Sequence, residues 1–175
     1  MQEYLKFLNT LSIPIAQYRN KAKKGNIKKD LTLIKDHFNG TLILNDYIEW
    51  VDFADGLHLG QEDLLAFSSN PLRALELVRK ELGSKILGVS THNKEEIELA
   101  NSLDLDYIGL GAYRTTQTKK SVLVAGEALL ELAKISKHKV ALIGGVKLED
   151  DFSLYPQISY KVIGSDLIKK FKESV

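Results

Sequence analysis

The sequence predicts an α/β protein, a TIM-type (β/α)₈ barrel that lacks or rearranges its first strand. Seven short β-rich runs each stop at a polar or glycine-rich cluster: QYRNK (17–21), LND (44–46), HLGQED (58–63), GVSTHN (88–93), GLGAYRTTQTKK (109–120), IGGV (143–146) and IGSD (163–166). The runs are near-continuously apolar rather than alternating, as expected of strands covered on both faces. Helical patterns separate most of them, and strand–helix alternation implies parallel βα units. Such folds assemble their chemistry at the carboxyl ends of several strands at once, so the seven clusters locate the candidate site.

Residues 1–12 read as a helix with Tyr4, Leu5, Leu8 and Leu11 on one side, followed by a strand at Ile13–Gln17. Ile27, Leu31, Ile34, Lys35 and Phe38 fall at helical spacing within a helix over 26–38, and Thr41–Leu44 is the next strand. The stretch from Asn45 to Gly56 holds only one turn, around Trp50–Phe53, before a strand at Gly56–Leu59. Pro71–Leu82 opens with a proline suited to a first helical turn and stops before Gly83. Strands follow at Lys85–Val89, Tyr107–Leu110, Val140–Ile143 and Lys161–Ile163, with helices at Glu95–Leu103, Val122–Ile135 and Asp166–Phe171. A closed barrel needs eight strands and about 200 residues even when compact. With a helix at the start, the strand not accounted for is the first.

At 175 residues the chain is expected to form one domain, 1–175, large enough for a substantial core. It has 44% apolar and 27% charged residues and no uncharged apolar run long enough to span a bilayer. Glu3 and Lys6 interrupt the apolar start, unlike a secretory signal, so a cytoplasmic protein with no membrane partner is expected. The absence of cysteine excludes disulfides, thiolate zinc sites and a cysteine nucleophile; any metal is held by oxygen or imidazole. A net charge of +1, from 24 basic and 23 acidic residues, gives no reason to expect a nucleic-acid partner.

Alternation in an extended segment points Gln17, Arg19 and Lys21 to one side, where an amide reads a heterocycle edge and two cations hold a phosphate; alone, the segment also fits an exposed basic turn. Asn45, Asp46 and Asp63 end the next two strands, and paired carboxylates beside cations suit Mg²⁺ with a diphosphate. Asp46 also fits a helix N-cap, and Asp63 an ordinary loop acid. Ser90 stands at a strand end as a phosphate donor, whereas Asn93, three residues before Glu96, reads as a cap. His58 and His92 lack zinc-ligand spacing and fit core or supporting roles. Thr116, Thr118 and Lys119 lie in a hydroxyl-rich loop without carboxylates, and Gly145, Gly164 and Ser165 follow the last two strands; each suits a phosphate anchor.

In this order the motifs QYRNK, ND, DGLHLGQED, GVSTHN, YIGLG with TQTK, and IGG resemble the thiamine-phosphate synthases and their sister family, the TenI thiazole tautomerases. The resemblance runs from Gln17 to about Ser165. It implies a TIM-type fold and a Mg²⁺-dependent transferase joining hydroxymethylpyrimidine diphosphate to thiazole phosphate, giving thiamine phosphate and diphosphate. It also implies roles: Gln17 recognises the pyrimidine; Arg19, Lys21, Asn45, Ser90 and Lys119 hold the diphosphate, the cations and Ser90 stabilising its departing charge. Asp46 and Asp63 bind Mg²⁺, while Thr116, Thr118 and the backbone of Gly145, Gly164 and Ser165 hold the thiazole phosphate. Where synthases carry Gly-Pro and a second proline, this chain has Gly111-Ala112-Tyr113-Arg114-Thr115, and Ala112 stands where tautomerases carry a histidine. The alternatives are a TenI-like tautomerase and a non-catalytic thiazole or thiamine phosphate-binding homologue. A homodimer would cover the open edges of an incomplete barrel.

Overall fold

The computed structural model describes residues 1–21, 25–114 and 126–174. Its contacts cluster in two compact units, Met1–Leu87 and Gly88–Val175.

The first unit runs α1 (Gln2–Thr10), β1 (Ile15–Tyr18), α2 (Ile27–His37), β2 (Thr41–Asn45), a 3₁₀ helix (Ile48–Phe53), β3 (Gly56–Leu59), α3 (Gln61–Leu65) and α4 (Pro71–Leu82). Its strands pair parallel in chain order, with Gln17 opposite Ile43 and Asn45 opposite His58. Side chains start its helices: Asn26 accepts from the Lys29 amide, and Asn70 from Arg73 just ahead of Pro71. Asn9 ties α1 to the end of α2, donating to the His37 carbonyl at 2.8 Å and accepting from the Asn39 amide at 3.1 Å. Leu31, Leu44, Leu57, Leu59, Leu64 and Val78 are fully enclosed, each worth about 1.5–3 kcal/mol of burial.

Polar anchors hold the amino ends of these strands. Asp55 accepts from the Leu42 amide through its carboxylate at 2.8 Å, returns its own N–H to the Leu42 carbonyl, and accepts from Ile86 through its backbone. Lys85 donates to the carbonyls of Val51 and Ala54, at 2.8 and 2.6 Å, satisfying the end of the 3₁₀ helix.

Strand β4 (Ile86–Thr91) leads into the second unit, which holds α5 (Lys94–Ala100), β5 (Tyr107–Gly111), α6 (Gly126–Ala133), β6 (Lys139–Ile143), β7 (Ile158–Val162) and α7 (Ser165–Ser174). Here β4, β5, β6 and β7 pair parallel in that order, with an irregularity between Val140 and Ala141. Asn93 caps α5 as expected: it accepts from the Glu96 amide at 2.8 Å, and Glu96 returns a bond to the His92 amide. Ile97, Ile108, Leu110, Leu129 and Leu142 form the core of this unit.

Seven parallel strands stand among the described residues, with a helix ahead of the first, as the sequence predicts. Several element ends differ, three of them for a clear physical reason. Residues 61–65, expected as loop, form α3, because the acids of Gln61-Glu62-Asp63 suit a first helical turn. Strand β4 extends to Thr91, whose hydroxyl donates to the Gly109 carbonyl, so Ser90 lies within the strand. Strand β7 begins at Ile158 rather than Lys161, and its alternation of half-buried and exposed residues hides it from a search for continuous apolar runs. The first four residues of the expected helix 122–135 lie outside the described residues.

Gly56 is where β3 is pressed most closely. A Cβ there would stand 2.6 Å from the Ile86 carbonyl oxygen and 2.7 Å from Ile43 Cδ1. Gly56→Ala is therefore expected to cost about 1–3 kcal/mol, read as a lower urea midpoint at unchanged slope.

Candidate functional site

In the first unit the expected residues converge at the carboxyl ends of β1, β2 and β3. Gln17 and Arg19 are exposed on either side of buried Tyr18, as strand alternation predicts, and Lys21 is exposed beyond them. The Gln17 amide donates to Asn45 Oδ1 at 3.4 Å, bringing an exposed amide against one that is only 6% accessible. The basic turn is fixed from beneath. Tyr18 donates to Asp30 at 2.8 Å, Asn20 donates to the Tyr18 hydroxyl, and Tyr47 donates to the Asn20 carbonyl at 2.6 Å. Burial, reinforced by the Asp30 carboxylate, holds the Tyr18 hydroxyl above its ordinary pKa, while its bond with Asn20 works the other way.

Asp46 follows β2 in a left-handed conformation, φ 70°, which an aspartate tolerates better than most residues. Its backbone N–H donates to the His58 carbonyl at 3.0 Å, turning its side chain to the carboxylate of Asp63. Asp63 lies on α3, with Oδ2 2.6 Å from where a Cβ on Gly60 would sit. The residue Asp46 remains open to solvent, yet its carboxyl is partly shielded. That shielding, followed by the charge of Asp63, raises its pKa, and the Arg19 cation and a bond from the Gly60 N–H oppose the rise. Beside them His58 is 3% exposed; burial, then the Arg19 charge, lowers its pKa to about 4, so it is neutral at pH 7.

Two adjacent carboxylates, that of Asp46 partly shielded and held above its ordinary pKa, make a hard-oxygen donor set with unbalanced negative charge, which fits a divalent cation such as Mg²⁺. Among the described residues no group of three or more His, Asp or Glu side chains could hold a metal by itself. Such a pair suits Mg²⁺ that takes its other oxygens from water and substrate phosphate. Asp46 is not a helix N-cap: the 3₁₀ helix is capped at Tyr47 without a side-chain bond.

In the second unit Ser90 is half-buried near the end of β4. His92 is engaged with Glu96 at 2.9 Å, a supporting role in the α5 cap. Gly144 and Gly145 follow β6 with φ of 94° and 64°, conformations open to glycine at little cost. Gly164 precedes α7, and Ser165 is its first residue, an exposed helix start. Thr116, Thr118 and Lys119 lie outside the described residues.

Sequence reasoning missed two arrangements. Tyr47 reaches back to Asn20 across 27 residues, and Arg114 forks onto Asp150 across 36. Both depend on loop positions that local patterns do not encode. The only available signal for the second was an arginine standing where the resembled loop carries other residues.

These units define a parallel βα protein of the TIM type whose strand ends gather cations, amides and a paired acid. Residues 4–154 match the family model described as thiamine monophosphate synthase. The thiamine-phosphate synthase of Persephonella marina is 40% identical, over 75% of this chain and 63% of that protein. That of Methanosarcina mazei is 32% identical, over 92% of this chain and 70% of that protein. The thiamine phosphate pyrophosphorylase of Pyrococcus furiosus shares the fold, with a TM-score of 0.68, 22% identity, and coverage of 98% of this chain and 84% of that one. The chain belongs to the thiamine monophosphate synthase family. It spans from about half to two thirds of the length of the first four curated relatives it matches.

The His58 environment sets an acid limit on stability. With a folded pKa near 4 against 6.5 ordinarily, the unfolded chain binds more protons between these values, so stability falls as pH drops from about 6.5 to about 4. Asp46, with its raised pKa, contributes in the opposite sense as pH rises through its own range. Urea midpoints measured against pH are expected to show the acid loss, and His58→Gln to flatten it.

Proposed function

We propose that this chain is a thiamine-phosphate synthase, joining hydroxymethylpyrimidine diphosphate to thiazole phosphate with release of diphosphate. The observation that carries the reading is the Asp46–Asp63 pair at the strand ends, beside Arg19 and the Gln17–Asn45 amides. The names of the relatives support it. The reading treats residues 1–175 as one domain, acting on small-molecule substrates in the cytoplasm without nucleic acid or membrane. No helix among the described residues is long and apolar enough to cross a membrane. A homodimer belongs to the same proposal, since β1 pairs with β2 alone and β7 with β6 alone among the described residues, leaving strand edges to cover.

In this reading Gln17, fixed on Asn45, presents its amide to the pyrimidine edge. Arg19 and Lys21, on a turn braced by Tyr18 and Tyr47, would hold the diphosphate, a role the resemblance also gives to Asn45, Ser90 and Lys119. Asp46 and Asp63 would hold Mg²⁺, which when bound would supply charge neutralisation to the departing diphosphate. As the C–O bond to diphosphate breaks, the cationic side chains stabilise the growing negative charge and the pyrimidine delocalises the carbocation left behind. The thiazole nitrogen then attacks that carbon. Thr116 and Thr118, with the backbone at Gly145, Gly164 and Ser165, hold the thiazole phosphate so that this nitrogen is aimed. His58, neutral at pH 7, adds no second positive charge beside Arg19.

Purified protein given both substrates is expected to form thiamine phosphate with Mg²⁺ and none with excess EDTA. Ligand binding without product would overturn the synthase reading in favour of a silent homologue. Asp46→Asn is expected to lower kcat/KM by about a hundredfold or more. Independently of turnover, Mg²⁺ is expected to raise the Tm of the wild-type chain, and Asp63→Asn to abolish that rise.

A further inference from the structure

Arg114 lies in the loop after β5, where the chain departs from the motif it otherwise resembles. Its guanidinium forks onto Asp150, with Nη1 on Oδ2 at 2.5 Å and Nη2 on Oδ1 at 2.8 Å. Nη1 also donates to the Gly145 carbonyl at 2.8 Å, and the Arg114 backbone N–H donates to the Gly144 carbonyl at 2.9 Å. One residue therefore grips two consecutive carbonyls of the diglycine turn. The anchor at the other end is itself fixed: Asp150 accepts from the Lys147 amide at 2.8 Å, and its backbone carbonyl accepts from Lys161 Nζ at 2.9 Å. The side chains of Arg114 and Asp150 are 39% and 13% exposed, so the carboxylate is the better shielded partner.

The grip fixes more than position. A trans peptide is planar, so an N–H points opposite the carbonyl bonded to it. Holding the carbonyls of Gly144 and Gly145 on Arg114 turns the N–H groups of Gly145 and Val146 away from the guanidinium. The two N–H groups thus turn the same way, on glycines whose φ of 94° and 64° suit the turn, and adjacent amides aligned in a turn are the kind of donor pair an anion takes. A side chain at either glycine would collide with the same loop, meeting Ala112 Cβ at 2.6 Å from position 144 and Arg114 Cβ at 2.7 Å from position 145.

We propose that Arg114 and Asp150 form a clamp that sets the diglycine turn for phosphate, Arg114 acting as a positioning residue rather than as a ligand to the anion. The inference rests on the synthase reading for the identity of the phosphate, that of the thiazole substrate. It makes a prediction that separates it from direct anion binding. If Arg114 were an anion ligand sequestered by Asp150, Asp150→Asn would release it and tighten phosphate binding. In a clamp, the same substitution loosens the turn and weakens binding.

The test pairs hydrogen exchange over residues 143–147 with calorimetric titration of thiazole phosphate into the wild-type chain, Arg114→Ala, Arg114→Lys and Asp150→Asn. Faster exchange in that segment and roughly tenfold weaker binding are expected for Arg114→Ala and Asp150→Asn. Arg114→Lys, which keeps the charge and loses the fork, is expected to bind nearly as weakly. Unchanged exchange in all three variants, binding restored by lysine, or tighter binding in Asp150→Asn would overturn the clamp. Failure of the wild-type chain to bind thiazole phosphate would overturn the synthase reading instead, while exchange still decides the clamp.

Discussion

Parallel pairing in register is the constraint on which every placement in this protein depends. Because β1, β2 and β3 run the same way, Gln17 opposite Ile43 and Asn45 opposite His58 leave their polar continuations at one end. The same holds for β4 through β7, which bring Ser90, the Gly111–Arg114 segment, the diglycine turn and the start of α7 to the carboxyl ends of their strands. A slip of one residue would exchange the faces of a strand and move its functional side chains with them. Close approach enforces the register, as where Gly56 leaves no room for a methyl group.

The two ends of the first unit's strands divide the work. At the amino ends Asp55 and Lys85 use their polar groups to satisfy backbone partners on β2, the 3₁₀ helix and the start of β4. These contacts close on themselves and leave little capacity for a ligand. At the carboxyl ends the balance is reversed. Asp46 is left-handed, its carboxyl stands against that of Asp63, and Arg19 and Lys21 remain exposed. Energetic conflict of this kind persists because the surrounding structure holds it, here the Tyr18–Tyr47–Asn20 bracing and the buried His58.

The acid pair and the arginine fork are opposite electrostatic solutions. Asp150 meets a forked cation and its carboxyl is held at a pKa of about 2, so it stays charged through the physiological range. Asp46 is partly shielded from solvent and meets a like charge, with a single cation in partial opposition, and its carboxyl shifts upward. The first arrangement is complete within the chain and serves rigidity. The second leaves negative charge unbalanced within the chain, which is the property on which the proposed divalent cation rests.

Sequence alone determined the element order, because continuous apolar runs, N-cap asparagines and Pro71 act locally; hence the exact bounds of β3 and α4 and the helix ahead of β1 were legible. It also determined which residue types stand at the strand ends, since the clusters are contiguous with the runs they terminate. The start of β7, residues 158–160, escaped because its alternating, half-exposed pattern lacks that local signal, and α3 because five residues carry little periodicity. The tertiary structure decided the rest. It set Asp46 against Asp63 and buried His58 as a neutral group. It joined Tyr47 to Asn20 and Arg114 to Asp150 and Gly145. Such pairings depend on where distant loops meet, and charge or hydrogen bonding between residues 17 to 36 positions apart leaves no periodic trace in a single sequence.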